Sequence, residues 1–442
     1  MKKIITQFLI INSVLLMVRA TSYSQAWEDL NTPSLTTGVG AIAIDGSNVY
    51  SGGSFTVNFS VGSFGRYDGS NWNLVGDWYD YPNGLGTINV AKKIDNYIYV
   101  GGYFTDGAGV VGLNKIGRWN ITTQTWEAMG NGITTSGTVY DIVKHNNEII
   151  IAGNFTDANG DPNADGLLKW NGTSWTALSS TSISNSSSLS VNALSTYGTS
   201  LYVGGNFQQG IVEWDGTSFQ SVGGWDVDNV SIHQGAVLSM AIDQSNGSIY
   251  VGGEGNATLS KWDGASWTSL ASSSSSVIRV YAIGVIGNKV YFGGDFQDVA
   301  GVPNTTYIAM YDGSIHSVAG GLNDKVYRIT PDGNNFYVGG NFTNAGGNTS
   351  ANKIARFNST GTASIDEVLK NFEFSLYPNP TNSWLNISVS ESSDITIFNL
   401  LGEEIAQQHL TEGTNKVDTR NFENGVYIVQ NSNGEVLKFV KE

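Results

Sequence analysis

One segment of the sequence places side-chain oxygens at every second residue, a spacing that a calcium-binding loop needs. The donors are Asp157, Asn159, Asp161, Asn163 and Asp165. Pro162 stands where such a loop has glycine, and Leu168 stands where it has a bidentate acid. Calcium is therefore one prediction for this segment, and a solvated loop rich in Asx turns is the alternative. No other cofactor is predicted.

Four aromatic residues form a second group of candidates, because they lie outside the repeated positions of the chain. They are Trp78, Tyr79, Tyr81 and Trp225. Exposed rings beside Asp and Asn suit stacking on a sugar or a peptide, and function often lies on long loops over a rigid scaffold. We predict a ligand site around these rings; the alternative is that they cover the ends of the repeat units.

Residues that could catalyse a reaction are few and dispersed. The chain has no Cys, four scattered His, and neither a Gly-x-Ser-x-Gly motif nor a phosphate-binding loop. Glycoside cleavage by paired carboxylates remains an alternative, because acids from distant repeat units can converge. The candidate acids are Asp106, Asp157, Asp226 and Asp298. We expect a protein without enzymatic activity.

Composition excludes several classes of protein. The 442 residues include 55 Gly but only 14% charged residues, which disfavours helical bundles and favours a β protein with many turns. The formal net charge is −16 without a cluster of Lys and Arg, so phosphate backbones are repelled and nucleic acid is not an expected partner. We expect a monomer.

The N-terminus has the pattern of a secretory signal peptide. Lys2 and Lys3 precede an apolar run over residues 4–18, and small residues at 22 and 24 predict cleavage between Ser24 and Gln25. The alternative is an uncleaved membrane anchor, but the run is shorter than the roughly 20 residues that a span needs. The predicted signal peptide is residues 1–24.

A motif of an apolar strand ending in a Gly pair recurs seven times. The copies are residues 49–55, 98–104, 149–155, 201–207, 249–255, 290–296 and 336–342. In each unit a short apolar strand comes before the motif and an aromatic strand follows it, and in six units a turn such as Asp215-Gly216 leads to a fourth strand. Periods near 40–50 residues with four strands per unit predict an all-β chain with a seven-bladed β-propeller over residues 25–358.

The seventh unit lacks an aromatic fourth strand, while an unassigned Trp27-Glu28-Asp29-Leu30 segment follows the signal peptide. We predict that residues 26–31 pair with the strand at 353–358, so that the N-terminal strand closes the ring and removes an open sheet edge. The repeated aromatic residues are predicted to form the core between sheets.

The Gly pair followed by Trp119 and Trp126 resembles the kelch repeat. In most units this spacing is shorter, as between Trp170 and Trp175. The resemblance implies a propeller fold and no particular activity.

The residues after the propeller have a different pattern. A predicted linker over 359–373 leads to residues 374–442, where alternating strands and Gly or Asn turns predict a small β-sandwich. Three short motifs occur there in order. Their residues are Tyr377, Pro378, Asn379 and Pro380, then Phe398 to Gly402, then Gly425, Tyr427 and Lys438.

These ordered motifs resemble the type A C-terminal sorting domain of type IX secretion. The resemblance implies that the Sec system exports the precursor and that the type IX machinery carries the folded chain across the outer membrane. It also implies release into the medium or attachment to surface lipopolysaccharide. The alternative is an ordinary accessory sandwich.

Two functions agree with the sequence. The first is a secreted or surface-attached binding or adhesion protein with a glycan or protein ligand. The second is a secreted carbohydrate-active hydrolase or lyase with carboxylates among its long loops.

Overall fold

The computed structural model describes residues 26–32, 34–57, 60–80, 84–178, 183, 189–225, 236–254, 257–272, 279–359, 374–389, 392–432 and 436–442. The predicted signal peptide with Ser24 and Gln25, Tyr81, Asp226 and most of the predicted linker lie outside these residues. The chain divides into two compact units, residues 1–361 and residues 362–442. Within the described ranges, no helix has the length and hydropathy to cross a membrane.

The first half of the first unit is built from short strands. In chain order they are β1 (Ala26–Glu28), β2 (Ser34–Leu35), β3 (Ala41–Asp45), β4 (Asn48–Val57), β5 (Ser60–Tyr67), β6 (Trp72–Gly76), β7 (Trp78–Asp80), β8 (Gly84–Leu85), β9 (Thr87–Ile94), β10 (Tyr97–Tyr103), β11 (Asp106–Gly107), β12 (Ile116–Asn120), β13 (Thr125–Glu127), β14 (Val139–His145), β15 (Glu148–Gly153), β16 (Leu167–Trp170) and β17 (Trp175–Ala177). A 3-10 helix covers Ala158–Gly160.

The remaining strands of this unit repeat the pattern. They are β18 (Ser190–Tyr197), β19 (Ser200–Asn206), β20 (Ile211–Trp214), β21 (Phe219–Ser221), β22 (Val237–Ile242), β23 (Ile249–Gly253), β24 (Ala257–Trp262), β25 (Trp267–Ser272), β26 (Arg279–Ile286), β27 (Lys289–Asp295), β28 (Ile308–Tyr311), β29 (Ile315–His316), β30 (Val326–Asp332), β31 (Asn335–Gly340) and β32 (Ile354–Asn358).

The strands form antiparallel sheets that mostly follow chain order, as the repeat predicts. The four-stranded sheets are β9-β10-β12-β13, β14 to β17, β18 to β21, β22 to β25, β26 to β29 and β30-β31-β32-β1. Another sheet joins β2, β4, β5 and β6, with β3 paired to β4, and a small sheet joins β11, β7 and β8. We call β3, β9, β14, β18, β22, β26 and β30 the inner strands, because all of them line one shared cavity.

The two glycines of each repeat have different roles, which Gly204 and Gly205 illustrate. A Cβ on Gly204 would overlap the side chain of Val237, which belongs to the inner strand of the next sheet. A Cβ on Gly205 would overlap the carbonyl oxygen of Ser190, at the start of its own inner strand. The first glycine therefore allows close packing of neighbouring sheets, and the second allows close approach of backbones.

The same region contains a β-bulge in six inner strands. The bulged residues are Asn89, Tyr140, Asn192, Leu238, Tyr281 and Tyr327. In each pair of strands the register shifts opposite the Gly pair, as between Val326 and Arg328 in β30. A bulge redirects the side chain of the extra residue. One side chain in each of these six strands therefore departs from the regular alternation of side chains between the two faces of the strand.

Tryptophans at the start of the fourth strands connect successive sheets, in agreement with their predicted role in the core between sheets. In four of these tryptophans the indole N–H donates to a backbone carbonyl of the preceding unit. The bonds are Trp72 to Leu30, Trp126 to Val75, Trp175 to Met129 and Trp267 to Val222, at 2.6–2.9 Å. These tryptophans therefore combine apolar packing with a satisfied polar atom.

Strand β1 pairs antiparallel with β32, as predicted for the N-terminal segment, with Trp27 opposite Phe357. Glu28 lies opposite Arg356, and its carboxylate accepts hydrogen bonds from Arg356 Nη1 and from Asn358 Nδ2, both at 3.0 Å. The Trp27 ring packs on Phe357 at 5.0 Å between centroids. The first and last strands of the unit are therefore joined by backbone pairing, an ion pair and ring packing.

The second unit is also all-β and contains two sheets. Its strands are β33 (Phe374–Tyr377), β34 (Trp384–Val389), β35 (Ser393–Asn399), β36 (Glu404–Leu410), β37 (Gly413–Asp418), β38 (Gly425–Asn431) and β39 (Val436–Lys441). The sheet orders are β33-β34-β37 and β36-β35-β38-β39. Leu385 and Val417 of the first sheet share one buried cluster with Ile395 and Phe439 of the second, which agrees with the predicted sandwich.

Candidate functional site

The inner strands enclose a cavity of about 960 Å³. This volume lies within the range of about 300–1,000 Å³ that is typical of small-molecule sites. The lining is more apolar than polar, and its apolar part includes small and branched side chains such as Ala193, Ala282 and Ile283. Among the described residues of the lining, the charged side chains are those of Lys92, Asp141 and Arg328. The cavity thus has the chemical character of a ligand site with a few polar groups.

Aromatic side chains line one end of the cavity. Tyr281 and Tyr327 are bulged residues at the start of their inner strands, and their rings lie 5.7 Å apart. Asn341 Nδ2, from the loop that follows β31, donates to the Tyr327 hydroxyl at 2.9 Å. Burial raises the pKa of both tyrosines. This end of the cavity therefore lies on the side of the long loops between second and third strands.

At one repeated position of the inner strands, two units have a charged residue where the other units have a small or apolar residue. The register aligns Val90, Asp141, Ala193, Ser239, Ala282 and Arg328, each directly after a bulged residue. Polar side chains at this position bond to a neighbouring inner strand, as when Ser239 Oγ donates to the Val280 carbonyl at 2.9 Å. Asp141 and Arg328 therefore differ from the equivalent residues of the other units by their charge.

Asp141 is held by backbone donors from two inner strands. Its Oδ1 accepts from the Ile142 N–H and its Oδ2 from the Leu194 N–H, both at 2.9 Å. Lys92 Nζ lies 3.4 Å from Asp141 Oδ1, and its side chain is 39% exposed against 8% for Asp141. The carboxylate is therefore buried and fixed, whereas the Lys92 side chain is partly exposed and lines the cavity.

The Arg328 side chain contacts backbone carbonyl groups in or next to two other inner strands. Its Nε donates to the Gly40 carbonyl at 3.3 Å, and its Nη2 donates to the Asn89 carbonyl at 3.0 Å. Protein surrounds the side chain, and burial lowers the pKa of the guanidinium while the charge of Asp141 opposes that shift. The side chain is nonetheless half-buried rather than inaccessible, because part of its surface faces the cavity.

The predicted exposure of the loop tryptophans is wrong. Trp78 is fully buried, and Trp225 is 7% exposed. Trp78 packs on Phe104 and Trp126, and Trp225 packs on Trp267, so these rings fill the core and offer no face to a ligand. Tyr79 lies in β7, and Tyr81 is outside the described residues. The alternative interpretation, that the rings cover the ends of the units, holds for both tryptophans.

The predicted calcium loop uses its oxygens in hydrogen bonds within the protein. Asp165 Oδ1 accepts from the Asp157 N–H at 2.8 Å, and Asp161 Oδ1 accepts from the Asn163 N–H at 2.9 Å. Asn159 Oδ1 accepts from Thr134. In the part of the chain that the structure describes, no three His, Asp or Glu side chains form a group that could hold a metal ion. These contacts favour the Asx-rich turn, and calcium binding stays a prediction.

The candidate catalytic acids also bond locally. Asp106 Oδ1 accepts from the N–H of Gly107, and Asp298 Oδ1 accepts from the Thr306 hydroxyl. Asp226 lies outside the described residues.

Sequence reasoning missed Lys92, Asp141 and Arg328. A signal was available, because the segments beginning at Val139, Val191, Val237, Val280 and Val326 share one pattern with a small or charged third residue. Comparing that third position across the units separates Asp141 and Arg328 from Ala193, Ser239 and Ala282.

Comparison with protein families assigns the end of the chain. Residues 375–442 match the model described as the secretion system C-terminal sorting domain. The chain carries a type IX sorting domain. Residues 80–249 match the Rax2 C-terminal β-propeller domain, and residues 337–363 match a β-propeller domain of unknown function, DUF5122. The protein is therefore a secreted or cell-surface protein with an all-β propeller region, as the sequence predicts.

Asn379 brings two of the motifs in the sorting domain together. Its Nδ2 donates to the Lys438 carbonyl at 2.9 Å, and its Oδ1 accepts from the Val440 N–H at 2.8 Å. The Tyr377 to Pro380 segment is thereby fastened to β39. Lys438 itself has an exposed side chain.

The other motif residues of the sorting domain lie in the same four-stranded sheet or at its turns. Gly425 begins β38, where the buried Tyr427 stacks on Phe439 with centroids 5.3 Å apart. Gly402 has a positive φ of 81° in the turn between β35 and β36. The second and third motifs therefore belong to one sheet, β36-β35-β38-β39, whereas the first motif begins at the end of β33 in the other sheet.

Solved structures that resemble the chain share 12–14% sequence identity with it. The computationally designed Ika8 protein aligns over 93% of this chain and 99% of its own, with a TM-score of 0.31. PorZ of Porphyromonas gingivalis, described as an essential surface component of the type-IX secretion system, aligns over 93% and 82%, with a TM-score of 0.26. YjhT aligns over 73% and 94%, with a TM-score of 0.37. No curated protein matches the sequence.

Proposed function

We propose that this protein is a secreted or cell-surface-attached binding protein that holds a small ligand or glycan end in the cavity between its inner strands. The type IX machinery exports it, and residues 25–358 form a seven-bladed propeller closed by the N-terminal strand. The cavity is the observation that carries the binding function, because it combines a suitable volume with an apolar lining and a few fixed polar groups.

Contacts between inner strands support the closed ring. Each inner strand contacts the next along the chain, and the last, β30, contacts the first, β3. Thr330 Oγ1 of β30 donates to the Ile42 carbonyl of β3 at 3.2 Å. Together with the pairing of β1 and β32, these contacts support seven sheets arranged around one axis.

Binding is favoured over the hydrolase alternative by the chemistry of the cavity. Glycoside cleavage commonly needs two carboxyl groups that flank the scissile bond. Among the described lining residues, Asp141 supplies the carboxylate, and its oxygens already accept two backbone N–H groups. Asp106 and Asp298 are engaged at separate loops.

A substitution that fills the cavity tests the proposal. Ser195 is a half-buried lining residue, so Ser195→Trp places a large ring in the cavity. Ser269→Trp adds the same ring at an exposed position on β25 and serves as the matched control. Glycan-array screening identifies a ligand, and calorimetry then measures its affinity for each variant.

We expect Ser195→Trp to weaken binding by at least about tenfold, a loss of about 1.4 kcal/mol, while Ser269→Trp leaves the affinity unchanged. Circular dichroism and melting temperature verify that both variants fold. Full affinity in a folded Ser195→Trp protein contradicts the proposed site, and a screen without any ligand contradicts the proposed function.

A further inference from the structure

The charge of the cavity has the opposite sign to that of the protein. Lys92 and Arg328 contribute two positive charges to the described lining, and Asp141 contributes one negative charge. The whole chain has a formal net charge of −16. A positive site favours the binding of a small anion, even though the protein as a whole is acidic.

Among the described residues, Arg328 has no anionic partner in direct contact, and the charge of Asp141 acts on it only from a longer distance. The two carbonyl oxygens that it contacts are uncharged, so they orient the guanidinium without neutralising it. Burying a cation without a paired anion is costly, and an Arg fork held in one orientation suits a carboxylate. Its remaining N–H donors are available where the side chain faces the cavity, since a guanidinium carries five.

Lys92 supplies a second donor for the same anion. Asp141 lies near its ammonium group at 3.4 Å, but that carboxylate is shared with the Ile142 and Leu194 N–H groups. An ammonium group has three donors, so Lys92 retains donors for a ligand while Asp141 fixes its position. The two cations and Asp141 thus leave one positive charge uncompensated.

The rest of the lining suits a polar ring with hydroxyl groups. Tyr281 and Tyr327 present partly accessible rings at the loop end, and Tyr140 is a third half-buried tyrosine of the lining. Aromatic faces stack on the C–H faces of sugars, while phenol groups bond to hydroxyls. Resting on the proposed ligand cavity, we infer that the ligand is an acidic sugar, with its carboxylate bound by Arg328 and Lys92 and its ring against the tyrosines.

Paired acidic and neutral sugars test this inference on the full chain. The probes are hexuronate oligosaccharides, each matched with the neutral hexose oligosaccharide of the same linkage and length. Calorimetry measures binding to the unmodified protein and to Arg328→Gln and Lys92→Gln. Lys144→Gln is the control, because it removes an equal charge from the ion pair with Asp95, outside the cavity lining.

We expect the unmodified protein to bind an acidic probe at least about tenfold more tightly than its neutral match. Arg328→Gln and Lys92→Gln should each remove most of that preference, and Lys144→Gln should retain it. Melting temperatures identify any variant that fails to fold, and if Arg328→Gln does so, Lys92→Gln provides the test.

Three results overturn the inference: equal affinity for both probes, a preference that survives Lys92→Gln, or no binding of any acidic probe. The first of these can leave the proposed function intact. If both probes bind equally and Ser195→Trp blocks both, the cavity is a ligand site without selectivity for the carboxylate.

Discussion

Trp78 contributes to stability through the rings and backbone around it. Its ring centroid lies 4.4 Å from that of Phe104 and 4.7 Å from that of Trp126. Ser63 Oγ accepts from the Trp78 N–H and donates to its carbonyl oxygen, so the backbone at this position is fixed from both sides. A Cβ on Gly107 would overlap the Trp78 ring, which shows that the chain folds closely over it.

Replacing Trp78 should therefore change stability. Truncating a buried aromatic side chain costs about 3–5 kcal/mol, so Trp78→Ala should lower the free energy of unfolding by about that amount. Urea denaturation followed by circular dichroism measures the change. Trp384→Ala is a suitable control because that ring is 41% exposed. A stability within about 0.5 kcal/mol of the unmodified protein contradicts the burial of Trp78.

The sequence could not reveal that Trp78 and Trp225 are buried, because both lie beside polar segments typical of loops. Burial depends on residues far along the chain, such as Trp126 for Trp78 and Trp267 for Trp225. The charged cavity residues were missed for a related reason. No local sequence motif marks Lys92, Asp141 or Arg328. Only the alignment of equivalent positions between units brings these side chains to one cavity.

At the scale of elements, the Gly pair and the β-bulge lie opposite each other on paired strands. The bulge adds a residue to the inner strand, and the second glycine of the pair makes room for a backbone carbonyl group just before the bulge. The sequence predicts this much, since paired glycines in a strand indicate close backbone approach. Which of the two glycines meets backbone and which meets a neighbouring sheet required the structure.

The two glycines should therefore differ in their tolerance to substitution. Gly205→Ala places a methyl group against the backbone carbonyl of Ser190, which is held in the pairing of β18 with β19, so we expect a loss of at least about 3 kcal/mol. Gly204→Ala meets the side chain of Val237 rather than backbone and should cost less, about 1–2 kcal/mol. The third unit already has Ala152 at this first position. Equal losses in urea denaturation contradict this assignment.

The pairing of β1 with β32 should stabilise the last sheet of the propeller. Trp27 is buried against Phe336 and Phe357, so Trp27→Ala should cost about 3–5 kcal/mol and expose the backbone of β32. Hydrogen exchange measures the second effect, which we expect as faster exchange over 354–358. Exchange in β20, on a sheet that does not contain β1, should change little. Unchanged exchange in β32 contradicts a stabilising role for the N-terminal strand.

At the scale of the whole molecule, the chain folds as two compact units. The sorting domain has its own buried core, which includes Leu385, Ile397 and Phe439, and the propeller unit has several of its own. Independent cores let a cargo unit diverge without altering the export signal. The sequence predicts the sorting domain because its ordered motifs are local, whereas the proposed ligand site depends on side chains gathered from separate sheets.

Removal of residues 374–442 should therefore stop export without preventing the propeller from folding. We expect the truncated protein to accumulate in the periplasm, whereas the full chain reaches the cell surface or the medium. Cell fractionation and surface protease accessibility measure the distribution. Normal surface display of the truncated protein contradicts the role of the sorting domain.

Asn379→Ala shows whether export needs the folded arrangement of the motifs or only the presence of the domain. Both hydrogen bonds of Asn379 go to β39, so the variant should loosen the Tyr377 to Pro380 segment while the core of the sandwich remains intact. Asn415→Ala, in β37, removes comparable local bonds to Thr411 and Gly413 away from the motifs. Export that falls for Asn379→Ala and persists for Asn415→Ala means that the machinery reads the geometry at β39. Equal export of both variants means that this fastening is not part of the signal.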